Sequence, residues 1–224
     1  MSEPRATGAT GVMDVGFFLA WISRTAEAVA AEKDRLTRLD AAIGDGDHGT
    51  NLSRGLTAVT AALDAEAPDT PRAALTKVGM TLISSVGGAS GPLYGTFFRR
   101  MGRALDDETT VDLDQLVAAL QAGLDGVTKL GGAQPHDKTM VDVLGPANEA
   151  LREAAADGAS ALDAISAAAD VAEASSRETI PWRARKGRAS YLGERSEGHE
   201  DPGAASSALV WRTLAQTAQA RLAG

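Results

Sequence analysis

Apolar residues return every three or four positions along almost the whole chain, the spacing that gathers them on one face of an α-helix. Phe18, Ile22, Val29 and Leu36 make a first stripe. Leu52, Leu56, Val59 and Leu63 make a second, and Leu75, Val78, Leu82 and Val86 a third. The segment from Phe97 to Leu105 follows, then Leu113, Leu116, Leu120, Leu124 and Val127, then Met140 to Leu151, Leu162 to Ala172 and Leu209 to Leu222. These stripes predict about eight helices. Aromatic residues are only 4% of the chain while alanine is abundant, a balance that suits closely packed helices better than strands. The predicted fold is all-α, an up-and-down antiparallel bundle of eight helices. With 224 residues, 44% of them hydrophobic, and no linker, residues 12–224 are expected to form a single domain behind a disordered leader over residues 1–11.

The boundaries between stripes carry their own signals. Thr70-Pro71 and Asp201-Pro202 are N-caps followed by proline at the first helical position, and Ser160 with Asp163 resembles a capping box. The turns near residues 67–71, 106–112 and 156–160 are ordinary polar breaks. The other connections differ: Gly44 to Gly49, Gly87 to Gly91, Leu130 to Lys138 and the long Thr179 to Gly203 segment are rich in glycine or charge. Plain and special connections alternate along the chain. In an up-and-down bundle alternate connections emerge at the same end, so all four special loops are predicted to meet on one rim.

The formal net charge of −8 disfavours nucleic acid as a partner, because phosphate backbones are held by clustered Lys and Arg. The absence of cysteine removes disulfides and thiol chemistry and fits a cytoplasmic protein. The apolar run from Val15 to Ile22 is too short to span a bilayer, so no membrane attachment is expected.

The rim loops suggest chemistry. Asp40, Asp45 and Asp47 bring three carboxylates to a glycine-containing loop that leads into a helix. Carboxylates are the ligands Mg²⁺ prefers, and a helix N-terminus offers free amides to phosphate. An EF-hand is excluded by Gly49 at the fifth ligand position. Gly49, Thr50 and Asn51 could present amides and a hydroxyl to phosphate oxygens, and Gly87 to Gly91, with Ser90, could approach from the other side or serve only as a flexible connection. His48 is either a backbone-bonded loop residue or a phosphate contact, and beside three carboxylates its charged form is expected to be favoured. Arg183, Arg185, Lys186 and Arg188 form the only dense basic cluster, either a solvated loop, a phosphate clamp or a docking patch for an acidic partner. No Walker A, kinase glycine-loop, Rossmann or serine-hydrolase motif is present.

Four motifs taken together closely resemble the nucleotide-binding L-subunit family of dihydroxyacetone kinase. They are residues 39–49 (LDAAIGDGDHG), 87–92 (GGASGP), 137–142 (DKTMVD) and 186–203 (KGRASYLGERS, then GHEDPG from Gly198). The resemblance covers nearly all of the chain after the leader. It implies an eight-helix barrel with ADP or ATP at one end, two Mg²⁺ ions on Asp40, Asp45 and Asp47, and nucleotide contacts from His48, Gly49, Thr50, Asn51, Ala89, Ser90, Gly131, Met140, Arg188, Asp201, Pro202 and Gly203. It further implies that a separate K subunit holds dihydroxyacetone, and that an M subunit of the phosphotransferase system recharges the bound ADP from a phosphohistidine. Arg188 and His48 are the expected catalytic residues. The alternatives are an ATP-dependent kinase subunit for dihydroxyacetone or another polyol, and a nucleotide-binding regulatory module. One departure stands at His136-Asp137, where the family usually has Gly-Asp: the turn must avoid the glycine-favoured backbone angle or be strained.

Overall fold

The Asp14 carboxylate accepts the Phe17 N–H at 2.8 Å and so starts the first helix. The computed structural model describes residues 12–223; the leader expected over residues 1–11 lies outside them. In order the elements are β1 (Met13–Asp14), α1 (Val15–Ala31), α2 (Lys33–Ile43), α3 (His48–Ala65), α4 (Pro71–Ser85), α5 (Ser90–Ala104), β2 (Thr110–Val111), α6 (Leu113–Gly131), α7 (Val141–Ala156), α8 (Ala161–Glu178), a 3₁₀ segment (Arg188–Ser196) and α9 (Pro202–Leu222).

Each predicted stripe becomes a helix, with one change. The first stripe, from Phe18 to Leu36, is broken at Glu32, which takes φ −94° and ψ 4°. Both halves lie against α3 and α9, and the break lets α2 meet the 3₁₀ segment as well. The three predicted caps all form, with side chains of Thr70, Ser160 and Asp201 accepting the amides of Ala73, Asp163 and Ala204. A complete capping box of Asp112 and Gln115 opens α6.

From α3 to α9 each helix packs on the next, and α9 returns against α1, which also touches α3. The helices therefore close into a ring. Its interior is filled by side chains, among them Phe17, Phe18, Trp21, Phe97 and Phe98, whose neighbouring rings meet at tilted or edge-on angles. A void of about 10 Å³ remains beside Thr25, Leu56 and Phe98. Two polar pairs cross the ring: the Trp21 indole N–H donates to Val210 O at 3.0 Å, and the Thr25 and Thr213 hydroxyls meet at 2.8 Å. The short β1–β2 ladder ties the start of α1 to the α5–α6 connection. No helix of the described residues is long and apolar enough to cross a membrane.

With neighbours antiparallel, the α2–α3, α4–α5, α6–α7 and α8–α9 connections share one pole, as the alternation of loops predicts. Together they line a single cleft of about 180 Å³.

Candidate active site

Asp40 sits in the last turn of α2 and is buried. Its Oδ2 accepts the N–H groups of Asp47 at 2.8 Å and His48 at 3.1 Å, so one helix end caps the start of the next. The chain can double back this tightly because Gly44 carries no Cβ, which would stand 2.1 Å from Asp40 Oδ1, and because Gly46 adopts φ +74°. The turn leaves the Asp47 side chain with no capping bond of its own. One carboxylate oxygen from each of Asp40, Asp45 and Asp47 lies within 4.8 Å of the others. Three like charges this close need a counter-charge. Part of it comes from Arg188, whose Nη2 is 3.1 Å from Asp45 Oδ2. An all-oxygen anionic donor set of this kind fits a hard divalent cation such as Mg²⁺.

Around these acids stand the ends of other helices. α5 begins at Ala89-Ser90, which line the cleft, and its first amides have no side-chain cap. α9 begins at Asp201, whose Oδ2 accepts the Ala204 N–H at 2.7 Å. Burial raises the Asp201 carboxyl from 3.8 to about 7, opposed by the Ala204 amide and Lys138 and reinforced by Asp142. The folded protein thus holds a proton that the unfolded chain releases, and this contribution to stability is lost as pH climbs from about 4 to about 7. Asp201→Asn keeps a cap acceptor but has no charge to desolvate. Its urea midpoint should gain on the wild type's progressively across that interval; parallel midpoints would contradict the assignment.

His48 behaves differently from the sequence expectation. Burial pushes its pKa below the ordinary histidine value, and the opposing pull of Asp40 and Asp47 is the smaller effect, so the neutral ring is favoured. Its Nε2 is 2.8 Å from Ser206 Oγ, which begins a buried polar chain. Tyr94 OH is 2.6 Å from Ser206 Oγ and 3.0 Å from Ser207 Oγ, and donates to Gly203 O at 3.3 Å. The tyrosine pKa is pushed up to about 12 by burial, against the two serine contacts. Tyr94 and Ser206 were not singled out from the sequence, because both lie on helix faces whose spacing reads as core.

The α6–α7 turn takes the strained alternative. His136 has φ +67° and Lys138 φ +63°, left-handed angles that cost a non-glycine residue about 1 kcal/mol or more each. Compensating contacts hold the turn: the Asp142 carboxylate accepts the N–H of His136 and, at 2.7 Å, that of Thr139, and the His136 ring packs edge-on against Trp182 at 4.7 Å.

Of the residues expected at the site, Asp40, Asp45, Asp47, His48, Ala89, Ser90, Met140, Arg188, Asp201, Pro202 and Gly203 all line the cleft. Gly49, Thr50, Asn51 and Gly131 stand outside its lining. Gly49 is buried against α2, where a Cβ would lie 2.1 Å from Lys33 O. Thr50 is exposed, and Gly131 ends α6 beside Leu93. Asn51 is buried, accepts Arg54 Nη2 at 2.9 Å and sits beside Gly87 and Gly88. Lys138 and Thr139, which lie inside the 137–142 motif but were given no role from the sequence, join the lining.

Oxygen donors beside helix N-termini at one pole of a helical ring suit a phosphate group and its cation. The chain belongs to the DAK2 domain family, whose model matches residues 42–216. It is 46% identical over 199 residues to the ADP-binding subunit DhaL of the PEP-dependent dihydroxyacetone kinase of Escherichia coli (strain K12), covering 89% of this chain and 95% of that protein. It is 44% identical over 204 residues to the ADP-binding subunit DhaL of PEP-dependent dihydroxyacetone kinase 1 of Listeria innocua, covering 91% of this chain and 97% of that one. Among solved structures it resembles the dihydroxyacetone kinase from C. freundii in complex with AMP-PNP and Mg²⁺, with a TM-score of 0.70 and 26% identity. That match covers 96% of this chain but only 36% of the C. freundii chain.

Proposed function

We propose that this chain is the nucleotide-binding subunit of a dihydroxyacetone kinase. It passes the γ-phosphoryl group of a bound nucleotide to dihydroxyacetone held on a separate K-type subunit. A phosphohistidine carrier of M type then recharges the resulting ADP. The observation that carries this reading is the meeting of four loops in one cleft, with the Asp40, Asp45 and Asp47 oxygens clustered in its lining, in a chain of nearly the same span as the ADP-binding subunits it resembles. Residues 12–224 act in this reading as one functional domain, in the cytoplasm.

Asp40, Asp45 and Asp47 would hold two Mg²⁺ ions, which when bound neutralise charge on phosphate oxygens. The chain's own groups do the rest. The uncapped amides at Ala89-Ser90 and the α9 start at Asp201 to Gly203 receive the anionic part of the nucleotide. Phosphoryl transfer asks for positioning and charge more than for proton chemistry, and Arg188 brings a guanidinium, 68% exposed, to the edge of the acidic cluster. Neutral His48, tied to Ser206, supplies a fixed polar wall in place of a second cation.

Native mass spectrometry of the purified chain tests the reading. Wild-type protein should carry ADP, which becomes ATP on addition of phosphorylated carrier and is discharged by the K-type subunit with dihydroxyacetone. Asp45→Ala should lose nucleotide retention by about tenfold or more while helicity by circular dichroism stays intact. Undiminished retention in that variant removes the basis for the assignment. Rapid exchange with solution ATP would indicate the ATP-dependent alternative.

A further inference from the structure

Lys138 is the least exposed charged side chain among the described residues, at 1%. Burying a lone ammonium costs several kcal/mol unless its protons are all received, and here its residue also takes a left-handed backbone angle. What receives the protons is specific. Nζ donates to Ser196 O at 2.6 Å, Trp182 O at 2.9 Å and Ile180 O at 3.4 Å. An ammonium has three protons and no lone pair, so although Lys138 lines the cleft it has no donor left for a phosphate.

The three carbonyls belong to both limbs of the α8–α9 connection. Ile180 and Trp182 lie just after α8, and Ser196 ends the 3₁₀ segment. Other bonds close the neck at the same place: Gly198 N–H donates to Ile180 O at 2.8 Å, and Ala184 N–H to Ser196 Oγ at 2.9 Å. Beyond the neck, residues 183–195 form a bight that carries Arg188 to Asp45. One backbone bond reaches it from the α6–α7 turn, the Arg185 N–H donating to Asp137 O at 3.0 Å, and the rest of its anchorage is light. Its own apolar anchorage is a small cluster of Ala184 and Ala189 with Ile43, joined by Leu192. A segment with so few buried contacts opens readily unless its base is fixed.

We propose that Lys138 is a positioning residue that clasps both limbs of the α8–α9 connection, and that it acts on phosphoryl transfer through Arg188. The inference rests on the phosphotransferase reading above for its kinetic part and on geometry alone for its structural part. Lys138 contributes nothing directly to the nucleotide; it sets where the guanidinium of Arg188 stands. A displacement of that group by about 1 Å is enough to slow a positioned transfer by about 100-fold.

The test is a double-mutant cycle on the full chain, assayed with the K-type subunit, dihydroxyacetone and the phosphorylated carrier or ATP. Lys138→Met should lower kcat by about 10- to 100-fold, leave nucleotide retention within about threefold of wild type, and speed amide exchange across residues 183–198 but not in the helices. The Lys138→Met/Arg188→Ala double variant should transfer no more slowly than Arg188→Ala alone. A double variant slowed by the product of the two single effects, or unchanged exchange in residues 183–198, overturns the proposal. If Lys138→Met does not fold, Lys138→Gln, which keeps an N–H donor without the charge, goes through the same cycle. Failure of both to fold also overturns it, since a residue acting through Arg188 is dispensable to the helical ring. Absence of transfer in the wild type would instead remove the phosphotransferase reading, and the exchange comparison would still decide whether Lys138 holds the loop.

Discussion

Asp40→Ala should lower phosphoryl transfer by about 10³-fold or more and abolish the rise in melting temperature that Mg²⁺ gives the wild type. The kinetic figure follows from losing several kcal/mol of charge stabilisation, each 1.36 kcal/mol being about tenfold in rate. Stability without metal is decided by two opposed effects. The variant loses the acceptor for the Asp47 and His48 amides, which as a cap contributes about 1–2 kcal/mol. It also relieves repulsion from Asp45 and Asp47, whose oxygens lie within 4.8 Å. The cap is buried and the repulsion is screened at the cleft mouth, so the net change should be a loss of about 1 kcal/mol. Thermal melts with and without Mg²⁺ separate the two, because Asp45→Ala relieves repulsion without touching the cap. A magnesium-dependent shift that survives in Asp40→Ala would show that this carboxylate is only a cap.

Gly49→Ala should be the most damaging single-methyl change at the site, though Gly49 does not line the cleft. The added Cβ would stand 2.1 Å from Lys33 O and 2.9 Å from Thr37 N, both backbone atoms that cannot swing aside. Either α3 moves off α2 or the variant stays strained; overpacking of this kind costs about 1–3 kcal/mol and occasionally more. At the upper end the melting temperature falls by about 6–12 °C for a chain of this size. Moving the start of α3 also draws Asp47 and His48 away from Asp40 Oδ2, so nucleotide retention should fall with stability. A variant that keeps its melting temperature and loses only nucleotide would return Gly49 to the role of a phosphate contact.

Local signals in the chain carry through to the structure. Caps at Thr70, Ser160 and Asp201 form as read, because a hydroxyl or carboxylate followed by helix-compatible residues needs only its own next turn to act. The meeting of the four loops follows from helix count and connection order alone. Features that depend on what lies across the fold leave no such signal. The apolar stripe from Phe18 to Leu36 looks continuous, since periodicity reports a buried face and carries no record of the backbone break at Glu32. His48 looks charged beside three acids until burial is known to outweigh them. That Gly49 packs against Lys33 with no room for a Cβ is likewise invisible in the sequence.

What the amino-acid order determined by itself is the all-α ring, the pole at which its special loops gather, and the carboxylate trio at that pole, because helical spacing, capping and short connections are properties of neighbouring residues. Only the tertiary structure decided that a lysine with no free proton ties down the arginine loop, that a tyrosine and serine stand behind a neutral histidine, and that one glycine is a packing joint. Those roles arise from burial and from contacts between residues 16 to 158 positions apart, for which no single stretch of sequence holds the partner.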